Sequence, residues 1–221
     1  IGAEALIRWE HPQHGVIPPL RFMQLLLESG HMQAVGRWSI DQALAQLAAW
    51  RREHGLEICV AVNLSSQQLE AELVYYVRAA LARHAVRPGN LELELIDPFE
   101  GRGETAVTVV GQLKALGVKI ALDGLGSGAA TLASVRAFDP NIVKINWGFV
   151  EGLDEQSADR TVARAVIDMA HALGMTVVAE GVEREAQARV LRTLGCDQIQ
   201  GFWVSAPLAA EAFAARYLVQ P

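Results

Sequence analysis

Residues 119–128 read KIALDGLGSG, and this stretch joins an apolar run to a glycine-rich turn through a single acid, Asp123. The run predicts a buried strand that ends at Asp123, and Gly124, Gly126 and Gly128 then predict a turn. Glycines directly after a strand indicate that the backbone adopts a positive φ or passes close to another group. A plain turn without a ligand is the alternative, and the rest of the chain has to decide between the two.

The same pairing of a short apolar run with a helix-patterned segment recurs along the 221 residues. The predicted strands span residues 57–63, 91–96, 118–123, 142–146, 176–180 and 197–201. The predicted helices span residues 19–29, 34–54, 67–84, 104–116, 158–173 and 183–194. Repeated strand–helix units require parallel strands with helical crossovers, so the fold class is α/β. The pattern fits either an open doubly wound sheet or a (β/α)8 barrel.

Polar residues stand at the C-terminal ends of the predicted strands, and they favour the barrel. They are Asn63, Glu94, Asp97, Asp123, Lys144, Asn146, Glu180 and Gln200. In a TIM-type (β/α)8 barrel, side chains from the ends of several strands converge on one face, where the chemistry takes place. An open sheet would instead spread them along an edge. The sequence therefore predicts a barrel with its site at the C-terminal face.

The residue types at this face indicate two kinds of site. The carboxylates are Glu4, Glu94, Asp123 and Glu180, and Asn63 adds an amide oxygen. Clustered carboxylates repel one another unless a cation lies between them, and hard oxygen ligands favour Mg²⁺, Mn²⁺ or Ca²⁺. With Lys144 and Arg8 as phosphate partners, such a centre is typical of phosphate-ester chemistry. A structural salt-bridge network, with Lys144 paired to Glu180, explains the same residues about equally well.

The composition limits what the chain can bind and where it works. A net charge of −6 argues against broad electrostatic binding of DNA or RNA. The spacing of Cys59 and Cys196 indicates neither a disulfide framework nor a zinc site, which favours the reducing cytoplasm. No linker-like segment interrupts residues 1–221, which predicts a single domain. Because the sequence begins at Ile1, we expect the domain to be a piece of a longer protein, which could carry a membrane anchor upstream.

Ordered motifs along almost the whole chain resemble the EAL domain family. They read EALIRWEHPQHGVIPP (4–19), VAVNLSSQQL (60–69), LELELID (91–97), IALDGLGSG (120–128), VKINWGFV (143–150), VVAEGVE (177–183) and GCDQIQGFWVSAPL (195–208). The resemblance implies a (β/α)8 barrel that binds cyclic di-GMP. Active members hydrolyse this dinucleotide to pGpG with two Mg²⁺ or Mn²⁺ ions. The family normally has a strand before its EAL motif, and this chain starts too late to contain it.

The resemblance also implies roles for individual residues. It implies metal ligation by Glu4, Asn63, Glu94 and Asp123. It implies catalytic roles for Lys144, beside the attacking water, and for Glu180. It implies that Arg8, Glu183 and Gln200 touch the nucleotide or shape its pocket. By the same resemblance, upstream sensory or GGDEF-type domains and a homodimer are expected partners.

Several positions depart from the family pattern around the metals and the loop beside them. The family reads DDFGTG where this chain reads DGLGSG, so Gly124 replaces the aspartate that helps to hold the second metal. Further departures are Ile96 and Asp97 for Thr and Glu, Asn146 for Asp, and Leu26 and Leu27 for Ala and Glu. The site would then hold one ion or none. We therefore expect a receptor that binds cyclic di-GMP with little or no hydrolysis; an active phosphodiesterase and a protein-interaction domain are the alternatives.

Overall fold

The computed structural model describes residues 2–96, 103–125, 131–153 and 157–219, and these residues contain a parallel sheet flanked by helices. A separate antiparallel hairpin, which joins β2 to β3, lies outside that sheet. The strands are β1 (Gly2–Ala5), β2 (Trp9–His11), β3 (Gly15–Ile17), β4 (Cys59–Ser65), β5 (Leu91–Ile96), β6 (Lys119–Leu125), β7 (Ile142–Ile145), β8 (Thr176–Ala179) and β9 (Gln198–Ile199).

Helices connect the successive strands of the sheet, and the last helix follows the last strand. They are α1 (Met23–Glu28), α2 (Met32–His54), α3 (Ala71–His84), α4 (Gly103–Ala115), α5 (Leu132–Phe138), α6 (Trp147–Glu151), α7 (Ala158–Ala172), α8 (Glu185–Leu194) and α9 (Ala210–Tyr217). Short 3₁₀ turns at Pro19–Arg21 and Ser66–Gln68 precede α1 and α3. Within the described ranges, no helix combines the length and the apolarity that crossing a membrane requires.

The strand order decides between the two predicted architectures. Among the described residues the sheet runs β1-β4-β5-β6-β7-β8-β9, and every neighbouring pair is parallel. A doubly wound sheet reverses its strand order at a switch point, whereas a barrel adds each strand beside the previous one. The sheet is curled into a half-barrel. The prediction of a TIM-like (β/α)8 fold that lacks one strand is therefore confirmed.

Alternation along the strands divides the molecule into an apolar outer layer and a polar interior. On β5, Leu91, Leu93 and Leu95 face the helices and belong to the main hydrophobic core, while Glu92 and Glu94 face the inside of the curl. The same period of two places the polar residues of the other strands inside. A small apolar cluster of Ala121, Ile142 and Val178 shares this inward face, since Ala121 is paired with Glu94 and Val178 with Lys144.

The sequence-based assignment of elements is confirmed in its main part and incomplete elsewhere. The six predicted strands agree with the structure to within two residues at each end. The segment at Gly2–Ala5 is a strand that the sequence analysis did not identify, and the same holds for the hairpin at Trp9–Ile17 and for α5, α6 and α9. These elements are short, so few periods of the pattern are present to reveal them.

The predicted end of the central strand at Asp123 is wrong. Strand β6 continues through Gly124 to Leu125, and Gly124 has a φ of +69°. The partners Leu122–Val143 and Leu125–Ile145 leave two residues of β6 opposite the single residue Lys144 of β7. This irregularity is a β-bulge, which uses glycine because the position needs a left-handed backbone. Gly126 and Gly128 lie outside the described residues.

A surface carboxylate that joins α2 to α3 should make the free energy of unfolding depend on pH in the acidic range. Asp41 Oδ1 lies 2.9 Å from His84 Nε2 and also pairs with Arg83; the hydrogen bond with His84, and then Arg83, lower the pKa of Asp41 below its ordinary 3.8 despite partial burial. A lowered carboxyl pKa stabilises the fold above the unfolded pKa, and this contribution disappears as pH falls through the folded pKa.

We therefore expect Asp41→Asn to lower the free energy of unfolding by less than about 1 kcal/mol at pH 6, because the pair is largely solvated. The difference from the wild type should shrink towards pH 3, as measured by urea unfolding. Asp168→Asn is the control, since Asp168 is well exposed and its pair with Arg164 spans 3.7 Å. A cost for Asp41→Asn that does not change with pH would contradict the expectation.

Candidate functional site

A buried lysine occupies the centre of the C-terminal face of the curled sheet. The side chain of Lys144 is 2% exposed. Its Nζ lies 2.8 Å from Glu94 Oε2, 2.6 Å from Glu180 Oε1 and 3.5 Å from Glu4 Oε2. These carboxylates come from β5, from the residue after β8 and from β1, so the polar residues at the strand ends do converge as predicted.

Two amides hold Glu4 in a fixed orientation. Asn63 Nδ2 donates a hydrogen bond to Glu4 Oε1 at 2.6 Å, and Gln200 Nε2 donates to Glu4 Oε2 at 2.6 Å. Asn63 comes from the neighbouring strand β4, whereas Gln200 follows β9 at the other end of the sheet. The carboxylate of Glu4 therefore bridges the two end strands of the described sheet.

The register of the strands explains why these side chains meet. Asn63 is paired with Glu94 across β4 and β5, so both point into the curl at the same height. The bulge in β6 sets both Asp123 and Gly124 against Lys144 on β7. Glu180 lies one residue beyond β8, and its backbone N–H donates to the Ile145 carbonyl at 3.1 Å.

Burial and neighbouring charge change the acidity of these groups. Burial raises the pKa of Glu94 to about 8, against the opposing effect of the Lys144 ammonium. Burial also raises the pKa of Glu180 to about 7; the Lys144 ammonium opposes the rise, and the nearby Asp123 carboxylate adds to it through repulsion and a side-chain hydrogen bond. The pKa of Lys144 is raised, because the attraction of Glu94, Glu4 and Glu180 outweighs its desolvation. The lysine is therefore a permanent cation here, while Glu180 changes its protonation state near neutral pH.

The donor set suits a hard divalent cation. Among the described residues, Lys144 pairs with the carboxyl groups of Glu4, Glu94 and Glu180, and Asp123 adjoins Glu180, so one positive charge meets an excess of acid. The raised pKa values mean that protons relieve part of this excess, and a divalent ion would relieve it in their place. In the part of the chain that the structure describes, no group of three or more acidic, histidine or cysteine side chains forms a ready-made metal cage. The residues thus fit an ion by chemistry, with Lys144 at the point of convergence.

The remaining predicted site residues are two exposed residues, the glycine of the bulge and one residue outside the described ranges. Arg8 is exposed, and its Nη1 donates to the Ile7 carbonyl at 2.8 Å. Glu183 is exposed, and its backbone N–H donates to Gln187 Oε1 at 2.9 Å. Gly124 is buried in the bulge beside Asp123. Asp97 lies outside the described residues, and no structural role is assigned to it.

Asn146, one of the departures from the family pattern, caps a helix as an aspartate would. The Oδ1 atom of Asn146 accepts a hydrogen bond from the Gly148 N–H at 2.9 Å, which caps the N-terminus of α6. Asparagine and aspartate are almost equally good at this position. The replacement of aspartate by Asn146 therefore does not by itself disrupt the C-terminal face of the sheet.

The sequence analysis missed one half-buried acid of the interior. Glu92 faces inward one layer below Glu94; burial raises its pKa, and Lys144 and Lys119 pull it back down. The signal was present in LELEL, residues 91–95, because two glutamates at a spacing of two share one face of a strand. Glu92 therefore adds a further acid near Lys144, on the side of the N-terminal ends of the strands.

The profile of the EAL domain family matches residues 1–207. The chain belongs to the EAL domain family. This EAL domain is 38% identical over 217 residues to the bifunctional diguanylate cyclase/cyclic di-GMP phosphodiesterase MucR of Pseudomonas aeruginosa, a match that covers 97% of the chain and 32% of MucR. It is 33% identical over 216 residues to the cyclic di-GMP phosphodiesterase PdeR of Escherichia coli, covering 97% of the chain and 32% of PdeR.

The fold of this EAL domain agrees with a solved structure of the PaMucR phosphodiesterase in a c-di-GMP complex. The TM-score is 0.87 at 37% identity, and the superposition covers 95% of this chain and 86% of that one. The chain spans about a third of the length of the curated relatives named here. Family membership is thus shown for the domain, and the activity of the whole protein is a separate question.

Proposed function

We propose that this EAL domain binds cyclic di-GMP and hydrolyses it slowly or not at all. Binding is supported by the PaMucR complex, whose chain is 37% identical, and by the persistence of the polar cluster around Lys144. Weak hydrolysis is supported by a single observation: Gly124 stands beside Asp123 in the bulge that faces Lys144, and glycine brings no carboxylate there. The family aspartate at this position helps to hold the second metal.

A divalent ion in this domain would be held by oxygens of Glu4, Asn63, Glu94, Asp123 and Glu180. When bound, Mg²⁺ or Mn²⁺ lowers the pKa of a water and stabilises charge on phosphoryl oxygens. The residues of this face also hold one another in place. Lys144 supplies a fixed positive charge, and the amides of Asn63 and Gln200 prevent Glu4 from rotating away.

The protonation state of Glu180 matters for the reaction. Because Glu180 has a pKa of about 7, it exchanges protons near neutral pH and is suited to take a proton from a water. Because residue 124 is glycine, the position next to Asp123 adds no negative charge that could hold a metal ion. The loss of one metal-holding carboxylate should cost at least the roughly 10–100-fold typical of residues around a metal site.

An active phosphodiesterase is the second candidate. It is favoured by the names of two relatives, MucR and PdeR, and by the intact convergence of Glu4, Glu94 and Glu180 on Lys144. A partner domain of the GGDEF type is a further proposal, which rests on the bifunctional name of MucR.

A turnover assay with the protein in excess over labelled cyclic di-GMP, in Mn²⁺, separates the candidates. We expect intact nucleotide after an incubation in which an active family member converts all of it to pGpG. A parallel calorimetric titration in Ca²⁺ and without metal should show binding of the same nucleotide. Rapid formation of pGpG would establish the phosphodiesterase instead, and a titration without heat would leave only a protein-interaction role.

A further inference from the structure

An exposed tryptophan stands directly beside the lysine–carboxylate cluster. Trp147 is the first residue of α6, three residues after Lys144, and 57% of it is exposed. The cap that Asn146 provides to α6 fixes the backbone from which the indole projects. Neither the cluster around Lys144 nor the hydrophobic core uses this ring.

The contact with Gly181 fixes where the indole begins. A Cβ added at Gly181 would lie 2.6 Å from the Trp147 Cβ and 3.8 Å from its Cγ, so no larger residue fits between them. Gly181 also has a φ of +70°, which favours glycine for a second reason. Because Gly181 follows Glu180, the Cβ of Trp147 lies next to a residue that adjoins the cluster.

Two more exposed aromatic residues belong to a segment that packs against Val182, the residue after Gly181. Phe202 and Trp203 follow Gly201, whose backbone presses against Val182: a Cβ at Gly201 would come within 2.3 Å of the Val182 carbonyl oxygen. The Trp203 N–H donates to that carbonyl at 2.9 Å. The aromatic rim, defined as Trp147, Phe202 and Trp203, is therefore carried by two backbone segments, one in contact with Gly181 and the other with Val182.

The charge of the cluster explains why a dinucleotide would need such a rim. Acidic groups outnumber the ammonium of Lys144 among the described residues, so phosphates gain little attraction from this face unless a metal is bound. With Gly124 in place of a carboxylate, metal binding contributes less than in a complete site. Affinity must then come from the bases, and stacking on an aromatic side chain contributes about 1–3 kcal/mol per base.

We propose that Trp147 is a specificity-determining residue of this domain, on whose indole a purine base of the cyclic dinucleotide stacks while a phosphodiester faces Lys144 and Glu180. The inference rests on the proposed function and names the residue that would supply affinity where the metals do not. The backbone link from Lys144 to Trp147 is three residues, or at most about 11 Å of extended chain. A single nucleotide spans a comparable distance from phosphate to base, so one ligand can occupy both places.

Titration of cyclic di-GMP by calorimetry into Trp147→Ala tests the inference. We expect the Kd to rise by about 5- to 150-fold, the equivalent of one stacked base. Trp147→Phe should retain most of the affinity, since it keeps an aromatic face, whereas Trp147→Leu should lose it although it stays apolar. The preference for cyclic di-GMP over a cyclic dipyrimidine should also fall in Trp147→Ala.

Trp38→Ala is the matched control. Trp38 lies on α2 and is 52% exposed, close to the exposure of Trp147, but it belongs to the outer helical layer. The control should bind like the wild type, and thermal unfolding should show that all variants are folded.

The outcomes separate this inference from the proposed function. If the wild type binds the nucleotide and Trp147→Ala binds equally well, the stacking role is overturned and the receptor function stands. If the wild type does not bind at all, the proposed function fails and the inference fails with it. A change in oligomeric state of Trp147→Ala with an unaltered Kd would instead assign the rim to contact between protein chains, which also overturns the stacking role.

Discussion

Gly124→Asp should raise Mn²⁺-dependent hydrolysis of cyclic di-GMP by at least about 10-fold, because it returns a carboxylate to the position opposite Lys144. The backbone allows the change, since aspartate and asparagine are enriched among residues with a φ near the +69° of Gly124. The measurement is the rate of pGpG formation at matched protein concentrations, with Mn²⁺ varied.

The melting temperature provides a second, independent test of the Gly124→Asp substitution. Position 124 is buried and directly follows Asp123, so the new carboxylate should lower the melting temperature in the absence of metal. Mn²⁺ should then raise the melting temperature of Gly124→Asp by more than that of the wild type, because an ion that binds only the folded state stabilises it. The gain should grow with the concentration of Mn²⁺.

Gly124→Asn is the control, because asparagine matches aspartate in shape and in tolerance of positive φ but carries no charge. We expect it to remain as inactive as the wild type and to show no larger response to Mn²⁺. Equal turnover in the two variants would mean that bulk or backbone geometry, rather than a missing carboxylate, limits the reaction. High turnover in the unaltered protein would refute the receptor hypothesis from the start.

Lys144→Met should lower the free energy of unfolding by about 3–5 kcal/mol at pH 7, the cost of breaking a buried ion pair by removing one partner. Methionine keeps most of the volume of lysine, so the loss reports the charge rather than a cavity. The carboxylates of Glu4, Glu94 and Glu180 would remain close together without their shared cation. Urea unfolding measures the difference.

The effects of Mn²⁺ and of a second substitution test this prediction further. Mn²⁺ should recover part of the lost stability, because a divalent ion can neutralise the carboxylates that Lys144 neutralised. Adding Glu94→Gln to Lys144→Met should cost less than the sum of the single changes, since the two side chains interact directly at 2.8 Å. Strict additivity would show that the pair contributes nothing specific.

Lys114→Met is the matched control for the loss of a lysine. Lys114 pairs with Asp139 across 2.6 Å between α4 and the end of α5, and the carboxylate of that pair is exposed. A surface pair of this kind contributes about 0–1 kcal/mol. If Lys144→Met cost no more than the control, the central lysine would not be essential to the fold.

The sequence alone determined the class of fold and the kinds of residue at the site. The alternation of apolar strands with amphipathic helices is a local property. It could therefore be recognised from the sequence alone in β4 to β8 and in α2, α4, α7 and α8. The polar residues at the strand ends identified the functional face for the same reason. Short elements such as β1, with only four residues, carry too few periods to be recognised.

Only the tertiary structure decided how these residues are combined. Glu4 and Gln200 share a hydrogen bond although 196 positions separate them, and this contact depends on the curl of the sheet. The bulge that sets Gly124 opposite Lys144 depends on the register of two strands, which a single strand's pattern cannot specify. Lys144 became a central cation because strands β1, β5 and β8 direct their acids to one point. Local sequence fixes which face a side chain takes, whereas strand order and curvature fix which side chains it meets.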